Sequence, residues 1–360
     1  MPLSGLSHLM RASFLAAVFA ALAGTQLVLA ATATTNDRSN ASAQSIIDAM
    51  TKANAAVVGV KVTAVKDARS VRTLGLNRAG SGVVIGNDGL ILTIGYLVLE
   101  AEQIEITTPA GKTLPAMAVA YDQATGFGLV KPLLPMRGVL PVTLGSLQDV
   151  NPGEPLMAAT GATADGDDGG ASMTQLVSKR AFSGTWEYHL DTALFTSPPV
   201  SSGRGNHSGA PLFNHKGELM GIGSLFVMDA LGENKRSPGN MFVPIDLLKP
   251  ILAELQQSGS SKQSNRPWLG LTSSDQGGSV RVMRVTEGSP ADDAGIKAGV
   301  VVQAVDGSPV ATLEAFYKKI WAHDKPDQPV QLTVQDGEGV KTIAVQPQSR
   351  MLSMKKPAGI

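Results

Sequence analysis

Cysteine is absent from the 360-residue chain. That excludes disulfides, thiolate metal sites, cysteine nucleophiles and a lipidated N-terminal cysteine. Aromatic residues are scarce at 4%, whereas glycine (39) and proline (21) are plentiful. This balance favours many strands and turns over helical bundles. Excess charge of either sign is also missing, because 30 basic residues cancel 30 acidic ones. There is therefore no electrostatic case for nucleic acid or for an acidic membrane surface. The five histidines show no metal-ligand spacing such as His-x-x-x-His, so the sequence indicates neither a metal nor any other cofactor.

What is present begins with an export signature. Arg11 supplies a positive start, and residues 12–23 form an apolar stretch of signal-peptide length. Gly24, Thr25 and Gln26 interrupt it before the ~18–20 residues that a spanning helix needs. Residues 1–33 are expected to be a signal peptide and leader, with an uncleaved inner-membrane anchor as the alternative. Either way the remainder is expected in the periplasm or outside the cell.

Residues 46–255 read as a run of short strands. Residues 57–65, 82–85, 90–93, 104–107, 139–144, 156–159 and 219–225 are apolar and separated by turn signals such as Asn87-Asp88-Gly89. That spacing predicts a barrel or a pair of barrels. A helix is expected to close the block, with Asp246 as N-cap and Leu247, Leu248, Ile251, Leu252 and Leu255 on one face. Residues 256–265 are Ser/Gln-rich and read as a linker. Residues 266–346 carry their own strands and a helix over 313–321, the pattern of a small α+β module.

The chemically most informative stretch is Asn206-His207-Ser208-Gly209-Ala210-Pro211-Leu212. A serine among small turn-forming residues can present its hydroxyl on a sharp corner. The segment resembles the Gly-Asn-Ser-Gly-Gly-Pro-Leu nucleophile loop of trypsin-like proteases of the HtrA/DegP type. Further motifs agree in order: Gly80-Ser81-Gly82, then Asp88-Gly89-Leu90-Ile91-Leu92-Thr93, and beyond residue 265 the Gly288-Ser289-Pro290-Ala291 and Ala294-Gly295-Ile296-Lys297-Ala298-Gly299 segments of bacterial PDZ domains. The resemblance implies a mainly β protein, a trypsin-like double β-barrel followed by a small α+β PDZ domain.

The same resemblance locates the catalytic positions and finds two of them altered. Tyr96 stands where the family has its histidine, Gly126 where it has its aspartate, and Ser208 keeps the nucleophile position. Asp122 matches a different family residue upstream of the catalytic one. A phenol with an ordinary pKa near ~10 is a proton donor at neutral pH and a poor general base. Asn206 and Ala210 replace family glycines around the serine, which bears on the oxyanion pocket. His189 and His207 remain as alternative bases for an active serine endopeptidase; His8, His215 and His323 lie in segments that do not suggest the role. Restoring histidine and aspartate together is expected to do better than histidine alone.

In the C-terminal module, Trp268-Leu269-Gly270-Leu271 falls where PDZ domains have a loop that captures a terminal carboxylate. Arg266 is placed to add charge, and Phe316 and Ile320, with Trp321, to wall the groove. The implied partners are unfolded proteins or C-terminal peptide segments, and a homo-oligomer, a trimer by resemblance. The expected function is that of an exported pseudoprotease binding peptides or misfolded proteins in envelope quality control.

Overall fold

The computed structural model describes residues 43–163, 169–200, 207–232, 235–323, 328–337 and 339–355. The signal-peptide expectation lies outside these residues, as do Asn206 and the segment leading to it. Among the described residues no helix is long and apolar enough to cross a membrane. Both barrels and the C-terminal module belong to one compact unit that begins at Lys52.

Six strands close the first barrel: β1 (Val57–Ala64), β2 (Asn77–Val84), β3 (Ile91–Ile94), β4 (Ala101–Thr107), β5 (Thr113–Tyr121) and β6 (Phe127–Pro132), in the order β1-β2-β3-β6-β5-β4. Six more close the second: β7 (Pro155–Thr160), β8 (Gly170–Gly184), β9 (Tyr188–Ser197), β10 (Pro211–Phe213), β11 (Leu219–Val227) and β12 (Gly239–Pro244), ordered β10-β11-β12-β9-β8-β7. The β-branched and aliphatic residues of β1 and β3 explain why these strands form, since all four side chains of β3 are buried. Closure leaves neither barrel a free edge. Residues 139–144, expected as a strand, make only an isolated bridge from Leu144 to Leu219, and Pro141 within them lacks an amide donor.

The barrels meet along β2 and the loop before β10. Ser81 N donates to Ser208 O at 2.9 Å, and Gly161 N donates to Ser81 Oγ at 2.9 Å. This seam fixes the serine loop against the first barrel.

The closing helix differs from its expectation. Residues Ile245–Leu247 form a short 3-10 turn, and the α-helix runs only over Leu252–Ser258. Pro250 removes an amide and clashes with a preceding turn, which delays the helix. Asp246 instead accepts from Leu147 N at 2.7 Å and Ser146 Oγ at 3.1 Å.

The Ser-rich stretch after that helix is fastened, not free. Ser261 and Ser264 are buried, and both hydroxyls donate to the Asp122 carboxylate. Thr125 adds two more bonds, from its amide at 2.9 Å and its hydroxyl at 2.6 Å. Burial alone would raise the Asp122 pKa, but the Ser261, Ser264 and Thr125 donors outweigh it and hold the carboxyl below its ordinary range. A depressed folded-state pKa contributes stability above the unfolded value that is lost as pH falls through the folded one. Asp122→Asn is expected to cost about 1.5–3 kcal/mol at pH 7. The gap to the parent should shrink below about pH 4. Urea unfolding across pH tests this, and a gap that is constant with pH would contradict the assignment.

The strands of the C-terminal module are β13 (Pro267–Trp268), β14 (Leu271–Ser274), β15 (Val280–Val285), β16 (Val301–Val305), β17 (Ser308–Pro309), β18 (Val330–Asp336), β19 (Gly339–Val345) and β20 (Gln348–Ser349). Its main sheet runs β14-β15-β16-β18-β19, with β17 paired to β16, while β13 pairs with β20. The Leu313–Trp321 helix matches its expected span. Thr312 caps it by accepting from Ala315 N, and Leu313, Phe316, Tyr317 and Ile320 recur at helical spacing on its buried face. Each such side chain contributes roughly 1.5–3 kcal/mol on burial.

Candidate functional site

Ser208 sits on a tight turn closed by Ala210 N donating to His207 O at 3.0 Å. Gly209, with φ of 76°, takes the turn position that favours glycine. A Cβ there would lie 2.1 Å from Ser81 O and 2.5 Å from Thr93 Oγ1, so the inter-barrel seam also requires its absence. Gly209 N donates to Gly223 O at 2.8 Å, tying the turn to β11. Ala210, where the family has glycine, is fully buried.

Tyr96 comes from the other barrel, on the short Gly95–Val98 helix that follows β3. Arg78 holds this helix from below: its guanidinium donates to Tyr96 O at 2.9 Å, Leu99 O at 2.6 Å and Ser70 Oγ at 2.7 Å. Glu100 accepts from the Ser70 hydroxyl at 2.6 Å and completes the network. No local sequence signal marks this role of Arg78, because its partners lie as far as 21 residues along the chain.

The two side chains meet across the seam. Tyr96 Oη lies 2.7 Å from Ser208 Oγ and 2.8 Å from the Ser224 carbonyl oxygen. A phenol has one proton and a carbonyl can only accept, so the Tyr96 proton is committed to Ser224 whenever that bond is made. Burial pushes the Tyr96 pKa up to about 12, against a smaller lowering by the Ser208 contact. At pH 7 only about one phenol in 10⁵ is then ionised. The group beside the serine is an oriented neutral hydroxyl.

Gly126 adjoins this pair through the backbone. Its carbonyl accepts from Gly95 N at 2.7 Å, and its amide donates to Asp122 O at 2.8 Å. Its φ is 83°, the left-handed region. A Cβ on Gly126 would lie 3.1 Å from the Tyr188 hydroxyl. That hydroxyl donates to Thr125 O at 2.6 Å, and burial raises its pKa. An aspartate at Gly126, expected to help a restored histidine, would meet two costs here, the left-handed backbone and the close Tyr188 hydroxyl.

The alternative bases have other partners. His189 Nδ1 is 2.9 Å from Ser183 Oγ, and its Nε2 is 3.2 Å from Asp191 Oδ1. The His207 ring hydrogen-bonds the Ser224 backbone, and burial lowers its pKa. His189, Asp191 and Glu314 do converge, with ligand-type atoms within 4.8 Å of one another. Lys318 Nζ reaches Asp191 at 2.7 Å and Glu314 at 2.8 Å, so an ammonium already supplies the cation in that cluster.

In the C-terminal module the amides of Leu269, Gly270 and Leu271 converge on one carboxylate, as expected for this loop, but its source is Glu187 in the same chain. Trp268, beside them, is buried. Arg266 lies with its guanidinium 3.4 Å from the centre of the Trp321 ring, and burial lowers its pKa to about 10. Phe316 and Ile320, expected to wall the groove, belong to the module's core at 0% exposure. The helix residues facing the Glu187 segment are Glu314, Tyr317 and Lys318 instead. Helical spacing alone could not separate the two faces, since Tyr317 is a core residue whose hydroxyl also reaches the turn, and Trp321 extends the apolar surface past the core.

Comparison with known proteins agrees with the order of the two domains. Residues 80–222 match the trypsin-like peptidase domain family, and residues 267–346 match the PDZ domain family. The chain is 29% identical over 251 residues to HhoA of Synechocystis, covering 64% of this chain and 61% of HhoA. It is 26% identical over 279 residues to the serine protease PepD of Mycobacterium tuberculosis, covering 72% of this chain and 58% of PepD. It thus spans about three fifths of the length of these two relatives. The solved structure of the HtrA-type protease AlgW with a tripeptide superposes with a TM-score of 0.52 at 18% identity, over 87% of this chain and 99% of AlgW, which is a likeness of fold.

Proposed function

We infer that this chain, which belongs to the HtrA/DegP type of trypsin-like proteins carrying one C-terminal PDZ domain, is a pseudoprotease that binds polypeptides without cutting them. The observation that carries this reading is the phenol of Tyr96 at 2.7 Å from Ser208 Oγ, in the place an imidazole would need to occupy. A serine nucleophile needs a neighbour that takes its proton, and that neighbour needs a third group to orient it. Tyr96, with its pKa raised by burial, does not take a proton at neutral pH. Gly126 has no side chain to orient one. In proteases that possess a full triad, losing a member costs on the order of 10⁴–10⁶ in rate.

The retained module is read as the working part, a groove for C-terminal or unfolded segments through strand addition and carboxylate capture. Arg11 and the apolar residues 12–23 support export, with the periplasm or outer face of the inner membrane as the place of action. Envelope protein quality control is the matching role, and the oligomer proposed is a homotrimer by family resemblance. Here Tyr96, Gly126 and Ser208 are assigned as the altered triad.

The test is degradation of unfolded casein by the purified protein. No release of fragments above that of a Ser208→Ala variant is expected. Robust cleavage that Ser208→Ala abolishes would establish an active endopeptidase with a non-standard base.

A further inference from the structure

The β8–β9 turn, Gly184-Thr185-Trp186-Glu187-Tyr188, leaves the second barrel and enters the C-terminal module. Glu187 at its tip is 2% exposed although it is a carboxylate on a hairpin turn. Its Oε1 accepts from Gly270 N at 2.7 Å and Leu271 N at 2.7 Å, and its Oε2 from Leu269 N at 3.0 Å. Three consecutive amides thus close on both oxygens of one carboxylate. Two residues earlier, Thr185 O accepts from Ser273 N at 2.8 Å. Ser273 lies on β14, the edge strand of the module's sheet, so the turn also takes up part of that edge.

Side chains of the Leu313–Trp321 helix hold the same turn from its other side. Tyr317 Oη donates to Gly184 O at 2.8 Å, and just beyond the turn Lys318 Nζ pairs with Asp191 of β9 at 2.7 Å. Glu187 adopts φ of 57°, a conformation unfavourable for a residue with a Cβ and kept only where surroundings impose it. A structural hairpin has no need of these features together. A carboxylate in the amide loop and a strand residue two positions before it on the sheet edge are what a peptide C-terminus brings to such a groove.

We propose that the β8–β9 turn is an internal ligand of the C-terminal groove, with Glu187 standing in for a peptide's terminal carboxylate, so that an incoming C-terminus binds only by expelling the turn. This rests on the module being a peptide-binding one, as proposed above. The competing groups make equivalent charge-assisted bonds to the same amides. The turn, however, is tethered and loses no association entropy, which gives it the advantage of a high effective concentration. Apparent affinity for a free peptide falls by the fraction of chains whose groove is open. The ligand class that opens it is a peptide with a free terminal carboxylate, offered at high concentration or several times over on one unfolded client.

The experiment uses the full chain. Fluorescein-labelled decapeptides ending in Leu, Val or Phe, as free acids and as amides, are titrated by anisotropy against the parent protein and Glu187→Gln. Backbone hydrogen exchange over residues 267–274 is followed in the same samples. Glu187→Gln keeps the shape of the side chain and removes its charge. It is expected to bind the free acids about 10-fold or more tightly than the parent, with the amides weak on both. Exchange over residues 267–274 should accelerate in the variant and be slowed again by the free acids. Equal affinity together with unchanged exchange would overturn the internal-ligand proposal while leaving the groove reading intact. Accelerated exchange with no binding of any peptide would support the internal contact and overturn the groove reading. If Glu187→Gln does not fold, Tyr317→Phe removes the hydroxyl that anchors Gly184 and takes its place. The same direction of change is expected with it, and no change in either readout would contradict the proposal.

Discussion

Tyr96→His is expected to leave the protein without measurable peptidase activity, and adding Gly126→Asp is expected to recover less than about a tenth of the roughly 10⁴-fold that an orienting carboxylate supplies in intact triads. The first half follows from tautomer control: an imidazole with no acidic partner is not held with the correct nitrogen facing the serine. The second half follows from the geometry at Gly126. An aspartate there must accept a φ of 83° and place its Cβ 3.1 Å from the Tyr188 hydroxyl. Asparagine and aspartate tolerate left-handed backbone better than most residues, so the variant should fold. Its aspartate Cβ, however, crowds the Tyr188 hydroxyl, which must shift to admit the side chain. The triple variant that also carries Tyr188→Ala should exceed the double one. Casein hydrolysis by the three variants, with circular dichroism as a check on folding, decides the matter. Activity in the double variant near that of an intact protease would show that Tyr188 is no obstacle.

Gly209→Ala is expected to destabilise the protein by about 2–4 kcal/mol, a cost in the range of strained backbone plus steric displacement. Here a single methyl group meets groups fixed in the seam: Ser81 O at 2.1 Å and Thr93 Oγ1 at 2.5 Å. Relief would require opening the seam, with loss of the bond from Ser81 N to Ser208 O. The neighbouring Ser208→Ala removes the hydroxyl that meets Tyr96 and should cost about 1 kcal/mol. Denaturant midpoints for the two variants provide the comparison. Equal, small shifts would mean that the barrels are not locked through this turn.

These effects bear on how much of the molecule its sequence reveals. The serine turn is legible because its chemistry is local: small residues, a glycine that tolerates positive φ, and a proline entering a strand. The Leu313–Trp321 helix is legible to the residue, because a threonine cap and an apolar face at helical spacing coincide. Strand β8 is not, since its 15 residues include few large apolar side chains and only three positions are fully buried. Residues 256–265 mislead for a physical reason. Serine-rich composition signals solvation only when no buried carboxylate needs hydroxyl donors, and Asp122 is such a carboxylate, 139 and 142 residues away from Ser261 and Ser264.

Glu187 shows the same limit at the candidate site. In the sequence it is one acidic residue between two aromatics, with nothing to mark it. Its partners are 82 to 84 residues further on, and the contact depends on two domains packing in one orientation. The amide loop is recognisable from its own motif, but the carboxylate that fills it has none. Tyr96 is the opposite case, because its meaning comes from surroundings that match a known pattern while the residue itself does not.

The most direct measurement of the central claim is the reactivity of Ser208 itself. Incubation with diisopropyl fluorophosphate, followed by intact-mass spectrometry, reports whether the hydroxyl behaves as an activated nucleophile. With a neutral phenol 2.7 Å away and no base, the protein should remain unmodified under conditions that fully label an active serine protease. Stoichiometric phosphorylation mapped to Ser208, and absent in Ser208→Ala, would contradict the pseudoprotease account.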